Sequence, residues 1–459
     1  MSIFNSANID QTYSAVFTDE KISHYDLQRI LETTAWAPSP FNTQPWEFLV
    51  IQKDDFIRKF ACAAAGWLED FASYPGRAQK EDFLQKLPNL LICLRDTARR
   101  DPGPNEYRLS LLSMGTALAN LMLAASAANI ALQPLYPASP DSLQELKIYW
   151  HIPAQVEIAC LFGWGYVKKA AAANRERPNI IIHDNQYNRL YRIEKLNPHP
   201  INPNPFNLIK SRHSYRKDFL REDLSAPDED LLLETALNSF GFQNRRGREL
   251  IFIKDQGLIN SLGDLMTDVS YEIHMDKAYE ARMQTWLRYS FAETTIKADG
   301  LLLTLLNRFQ GYVFKQGSIC LGKYAFLKPV KSLFMKKVSR DFFGDLLRRS
   351  PLLVALVYKR QNGANVLLQE LDIISLGILL QNLLLAASAR NIGAQFFSIL
   401  LDTKQGIEGV NSLLKLPGET EVINLLRLGY KNPRAPEKIL SLSGTVRRPF
   451  EKIVHLEAF

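Results

Sequence analysis

Residues 115–133 read GTALANLMLAASAANIALQ, and residues 377–395 read GILLQNLLLAASARNIGAQ. At a constant offset of 262 residues, the polar Asn120, Ser126, Asn129 and Gln133 recur in register with the apolar positions between them. Apolar runs resemble one another by chance, but polar residues falling in step do not. The chain is an internal duplication, which restricts it to folds that pack against a copy of themselves. Two flanking segments agree. LPNLLICL with Pro88 answers SPLLVALV with Pro351, and IPAQVEIACLFGWGY with Pro153 answers LPGETEVINLLRLGY with Pro417. Nearer each start the offset falls to 201, from Lys53-Asp54 to Lys254-Asp255. The second copy therefore carries about sixty extra residues, an insertion at about 256–350.

The proline-rich NPHPINPNP at 197–205 is the expected joint, because closely spaced prolines block helix. Two domains follow, 1–196 and 206–459. Each half reads helix, strand, long helix, strand. Leu27, Ile30 and Leu31 make one stripe of a helix over 24–36. WEFLVIQK at 46–53, LLICL at 90–94 and 156–162 read as strands, and 111–129 as a helix apolar almost all round. The expected class is α+β, a sheet flanked by helices.

Composition excludes several functions. The run Ile373–Ala387 is broken by Gln381 and Asn382 and predicts a buried helix, not a membrane span. Met1–Phe17 has no basic start with an apolar core, so a cytoplasmic protein is expected. Cys62, Cys93, Cys160 and Cys320 lack CxxC spacing and read as free thiols. The seven histidines form no HxxxH or HExxH pattern, so no metal site is expected. Between Leu321 and Ser350, eight bases face only Asp341 and Asp345, interleaved with phenylalanine and valine. That is a basic amphipathic pattern, read as a solvated surface helix ahead of a membrane-surface or lid element. Nothing else supports nucleic-acid binding.

Two segments carry chemistry. Ala37-Pro38-Ser39-Pro40-Phe41-Asn42-Thr43-Gln44-Pro45-Trp46 is a proline-stiffened loop between helix and strand, in which Ser39 and Asn42 present polar atoms at low ordering cost. A carboxamide both donates and accepts, which suits the edge of a heterocycle; the plain alternative is a helix-stop turn. Ser211-Arg212-His213-Ser214-Tyr215-Arg216 alternates two guanidinium forks with a hydroxyl, which suits a phosphate if the segment is extended. Arg447 and Arg448 add two bases near the C-terminus, where the plain alternative is an exposed basic patch.

Taken together, these elements resemble the nitroreductase-type flavoproteins, whose pattern is an R-[RH]-[ST]-x-R start, an APSxxNxQPW loop, a glycine-containing central helix, an LGY strand and an R-R-P tail. The resemblance implies two fused nitroreductase-like domains forming an intramolecular pseudo-dimer. It also implies FMN in the interface, its phosphate gripped by the arginines of one half and its ring met by the loop of the other. The second half has the arginine start (Arg212, His213, Ser214, Arg216) and tail (Arg447, Arg448), but its loop reads Leu237-Asn238-Ser239-Phe240-Gly241-Phe242-Gln243. The first half has the loop (Pro38, Ser39, Asn42, Gln44), but Gln11–Val16 carry no base and its tail keeps only Arg175 and Arg177.

One complete site results, with Ser398 opening the segment whose backbone N–H would face the flavin ring. The pattern is similar to the tandem, Acg-like subfamily, as are Trp286-Leu287-Arg288 and Asp299-Gly300-Leu301. The resemblance implies NADH or NADPH as electron donor, a small-molecule acceptor, no catalytic side chain and a plausible monomer. It leaves open a flavin-sequestering protein with an occluded cofactor, and a dehydrogenase of a peptide-derived substrate.

Overall fold

Two helices form the centre, and glycine decides how closely they meet. In the computed structural model, α2 spans Glu106–Ala127 and α6 spans Val366–Ala389. A Cβ added at Gly115 would lie 2.0 Å from the Ile374 carbonyl oxygen, and one at Gly377 would lie 2.1 Å from that of Leu112. The two backbones are therefore in direct contact, a crossing that only glycine permits. Beside it the buried Gln381 Nε2 donates to Asn120 Oδ1 at 2.7 Å. By length and composition both helices could cross a membrane, yet both are almost wholly buried between the two sheets.

The described residues are 17–68, 76–99, 103, 105–137, 139–167, 180–193, 196–244, 247–288, 296–299, 301–302, 336–337, 339–361, 366–435 and 446–457. The expectations for Gln11–Val16, Arg175, Arg177, Cys320 and residues 321–335 lie outside them. In the first half, β1 (Trp46–Ile51), β2 (Asn89–Asp96), β3 (Ile130–Leu135) and β4 (Val156–Tyr166) follow helix α1 (His24–Thr34). After β5 (Ile181–Asp184), the second half holds α3 (Pro205–Ser211), α4 (Ala226–Leu237), β6 (Arg248–Ile253) and α5 (Gln256–Met275). Around α6 it continues with β7 (Leu352–Lys359), β8 (Ile392–Phe397), β9 (Thr420–Tyr430) and β10 (Val454–Leu456). The strands are apolar on both faces, as befits sheets covered on each side.

The sheets run β10-β1-β2-β4-β3 and β8-β9-β7-β6-β5. The halves exchange edge strands. β5, from the first half, adds parallel to β6, while β10, from the second, adds parallel to β1. The sheets therefore cross the sequence division at 197–205. Phe48 faces Cys93 where Leu250 faces Leu356, so Glu47 is the counterpart of Glu249, one residue off the alignment through Lys53 and Lys254. Each exchanged strand is locked alike: His183 Nε2 lies 2.8 Å from Glu249 Oε2, and His455 Nε2 lies 3.0 Å from Glu47 Oε2.

Of the insertion, residues 256–288, 296–299, 301–302, 336–337 and 339–350 are described. α5 packs on the second sheet, and its apolar face joins Leu346 and Leu347. The basic run ends in charges that are met locally: Arg348 bonds Asp264 and Asp345, and Arg349 bonds Asp218. Leu287–Arg288 and Leu301–Leu302 form a two-stranded parallel ribbon.

Candidate functional site

The proline-stiffened loop docks on the central helix. Thr116 Oγ1 donates to the Pro38 carbonyl at 2.8 Å, and Ser39 Oγ accepts from the Gln44 amide at 3.0 Å. Phe41, Asn42 and Gln44 all have positive φ. Such backbone is costly for side-chain-bearing residues and persists only where surroundings hold it. What holds it is the tail of the other half. Asn42 Nδ2 donates to the Val446 carbonyl at 3.2 Å, and Asn42 Oδ1 accepts from Arg447 Nη1 at 2.9 Å. The carboxamide thus donates and accepts at once, toward the tail.

Arg448 staples the junction. Its backbone N–H donates to Gln44 Oε1 at 2.9 Å, and its fork reaches the carbonyls of Gln44, Trp46 and Lys452 and the Glu47 carboxylate at 2.6 Å. Burial alone would raise the Glu47 carboxyl, but hydrogen bonds from His455 and Arg448 outweigh it and hold it below the usual range.

The arginine start comes to the same place. Arg212 closes α3 and is buried, and Arg216 follows in irregular backbone. Burial, with repulsion from Arg216, pushes the Arg212 guanidinium down to about 10. Burial pushes Arg216 to about 10 as well. Burial and then the charge of Arg212 push Arg447 to about 9. These groups remain cations at neutral pH, and the shifts mark like charges gathered away from water. Arg212 Nε and Nη1 and Arg447 Nε have no acceptor among the described residues. Buried guanidinium donors left in this state are costly, and an anion would satisfy them. His213 instead faces solvent, its Nδ1 3.1 Å from the Ser211 carbonyl, and Ser214 is half-buried. Ser398 is half-buried at the end of β8, leading into a turn over Ile399–Leu401. Asn105 of the first half donates to the Leu401 carbonyl, so both halves meet there too.

The counterpart position is filled. Tyr136 and Pro137 stand after β3 where Ser398 and Ile399 stand after β8, and proline has no N–H to offer. Phe242, from the degraded loop, packs against Tyr136 and Phe162 with ring centroids 6.2 and 6.1 Å away. A Cβ at Gly241 would meet the Arg248 guanidinium at 2.1 Å; its Nη1 donates to the carbonyls of Ser239 and Phe240, while Nη2 has no acceptor among the described residues. Aromatic rings and one arginine take up most of the space, leaving a small cavity lined by Tyr136, Pro137, Phe242 and Leu371.

Reading the sequence missed three things. Arg427, inside the strand that carries the LGY motif, donates to the carbonyls of Tyr215 and Lys217 on either side of Arg216. The His–Glu locks had a signal, since IIIHD and IVHLE repeat an apolar run before histidine and an acid. The insertion also reaches the loop: Gln44 Nε2 donates to the Ala298 carbonyl at 2.8 Å, while Asp299 accepts from Arg288 at 2.6 Å and from Arg99 at 3.0 Å.

The sequence profile of the nitroreductase family matches residues 16–166 and again 209–430. The chain belongs to the nitroreductase family. Its fold is α+β, two nitroreductase-like domains paired within one chain, and the family is one of oxidoreductases. A relative from Archaeoglobus fulgidus, described as a "putative NADH dehydrogenase/NAD(P)H nitroreductase", is 26% identical over 159 residues, 33% of this chain and 79% of that protein. Among solved structures, a nitroreductase-like family protein from Bacillus cereus is 17% identical, covering 54% of this chain and 91% of its own at a TM-score of 0.30. An FMN-dependent nitroreductase from Clostridium difficile is 14% identical, covering 36% and 90%, with a TM-score of 0.28.

Proposed function

We propose that this nitroreductase-family protein is an FMN-dependent oxidoreductase with one composite flavin site per chain, taking electrons from NADH or NADPH for a small-molecule acceptor. The observation that carries this reading is the cluster of buried Arg212 with half-buried Arg216 and Arg447 at the junction of the halves, with donors of Arg212 and Arg447 unmet among the described residues. A phosphate dianion fits that donor set, since guanidinium forks and phosphate oxygens match in charge and geometry. When bound, FMN supplies hydride acceptance and donation, and the protein supplies orientation and electrostatics. Arg212, Arg216 and Arg447 would hold the phosphate. Asn42 aims Arg447, and Arg448 fixes Gln44 and the loop around it. The backbone from Ser398 to Leu400 would face the ring, and no side-chain acid or nucleophile is required. The filled counterpart, with Pro137 and the Phe242–Tyr136 packing, supports a single site. Paired halves within one chain favour a monomer in the cytoplasm, with domains 1–196 and 206–459 exchanging their last strands.

Released flavin measured against protein tests the reading, followed by anaerobic addition of NADPH and NADH. One FMN per chain that bleaches and reoxidises is the expected result; no flavin after reconstitution overturns it. A second reading, a flavin-sequestering protein, is favoured by one observation: the insertion is fastened to the loop through Ala298 and Asp299. One bound FMN that stays oxidised under both donors would select it.

A further inference from the structure

The arginine start has no ladder of its own. Between α3 and Phe219 the backbone is irregular, and its carbonyls must find partners elsewhere. Arg427 meets them. Fully buried in β9, it donates through Nη2 to the Tyr215 carbonyl at 3.0 Å and the Lys217 carbonyl at 2.7 Å, the residues on either side of Arg216. Nε donates to Gln395 Oε1 at 3.1 Å across the β8–β9 pair, which aims the fork. The guanidinium carbon lies 4.3 Å from the Phe219 ring, and Phe219 stacks on Tyr215 with centroids 5.5 Å apart. The Tyr215 N–H donates to the Ala394 carbonyl at 2.8 Å and Phe219 bridges to Lys431, and between those two fixed points the cation holds the carbonyls that flank Arg216.

The duplication supplies a control. Gln133 pairs with Gly163 in the first sheet just as Gln395 pairs with Arg427 in the second. Both halves keep the glutamine, but only the half with the arginine start has the arginine opposite it. In the half without it, Gln133 Oε1 is buried with no partner among the described residues. In the first sheet the space beside Gly163 is taken by Leu87, whose Cδ2 would lie 2.5 Å from an added Cβ, so the halves differ there in packing as well as in the arginine. The arginine tracks the phosphate-binding segment.

We infer that Arg427 is a positioning residue that sets the backbone around Arg216, and through it the selectivity of the site for a phosphorylated flavin over one lacking the phosphate. The inference rests on the flavin reading above. It predicts a split that a merely structural residue would not produce: loss of FMN binding without loss of riboflavin binding, since riboflavin shares the ring and not the phosphate.

The experiment is titration of apoprotein with FMN and with riboflavin, for wild type, Arg427→Lys and Gln395→Met. Gln395 is half-buried, so the second variant keeps the test alive if the first does not fold. Arg427→Lys is expected to raise the Kd for FMN on the order of tenfold, the scale of one charge-assisted hydrogen bond, with riboflavin changed by less than about twofold. Gln395→Met should move FMN in the same direction by about threefold, as for a weaker aiming bond. Combined with Arg216→Ala, Arg427→Lys should add little, because the two act through one contact. Equal weakening of both flavins, or unchanged FMN selectivity in both variants, overturns the role of Arg427. A wild-type protein that shows no preference for FMN over riboflavin overturns the flavin reading itself, and this role with it.

Discussion

The loop Pro38–Trp46 and its counterpart around Ser239–Gly247 occupy equivalent places, each beside the crossing of α2 and α6, and each contains a residue forced into positive φ. In the first, the left-handed residues are held by polar bonds to the tail of the other half, through Asn42 and Gln44. In the second, Phe240 and Phe242 turn inward and pack with centroids 5.2 Å apart, and Arg248 ties the carbonyls. Backbone geometry survived duplication in both, and so did one asparagine, Asn42 and Asn244, while Pro38, Ser39 and Pro40 are replaced by Phe240, Gly241 and Phe242. Symmetry is kept in the backbone of the two loops and lost in most of the side chains they carry. That division gives each substitution below a partner for comparison.

The largest effect is expected in the filled site. Phe242→Ala removes a buried ring between Tyr136 and Phe162 and should cost about 3–5 kcal/mol of stability by denaturant unfolding. Flavin stoichiometry should nevertheless stay at one, because Pro137 and the missing arginines remain. A second equivalent of FMN in that variant would break the comparison.

On the other side, Arg212→Ala should weaken FMN binding by about 1.5–3 kcal/mol, as for hydrogen bonds to a charged group. Fluorescence titration would show it. Ser239→Ala, in the counterpart loop, should leave FMN affinity within about twofold, although the hydroxyl accepts from Asn382 and its loss would cost some stability. Comparable release of FMN by both variants would end the one-site account.

The symmetric element should answer symmetrically. Gly115→Ala and Gly377→Ala each drive a methyl into the backbone of the opposite helix, at 2.0 and 2.1 Å from a carbonyl oxygen. Each should destabilise by about 1–3 kcal/mol through overpacking, and the two values should agree closely. A large difference would mean that the crossing is not shared evenly.

Much of this was legible in the sequence, and the reasons are physical. The duplication showed because α2 and α6 touch along buried faces, so Asn120 and its neighbours could not drift freely. The loop and arginine segments showed because both depend on rare residue combinations. The exchanged strands did not show: Ile181–Asp184 and Val454–Leu456 are four and three residues long, too short for alternation to register. Arg427 was hidden because one arginine in an apolar strand reads as an irregularity until the carbonyls it meets are known. Docking of Ala298 and Asp299 onto Gln44 and Arg99 joins residues 254 and 200 apart, and no spacing rule reaches that far.

The smallest loss of FMN affinity is expected where the comparison is finest. Glu47 and Glu249 each hold the histidine of an exchanged strand, but among the described residues Glu47 alone also receives an arginine, from the tail, while Glu249 has Lys359 at 3.9 Å. The Glu47 carboxyl is held below its ordinary value of 4.5 in the folded chain. A lowered carboxyl stabilises the fold at pH above the unfolded value, and that contribution fades as pH falls through the folded one. Glu47→Gln should therefore cost about 1.5–3 kcal/mol at pH 7, the worth of a hydrogen bond between charged partners. The gap to wild type should close in unfolding series taken below pH 4.5. Because Arg448 joins Glu47 to Gln44, Glu47→Gln should also raise the Kd for FMN by a few-fold, whereas Glu249→Gln should not. Identical strand locks would then differ in the one property that separates the two halves, and equal effects on FMN would place the tail outside the site.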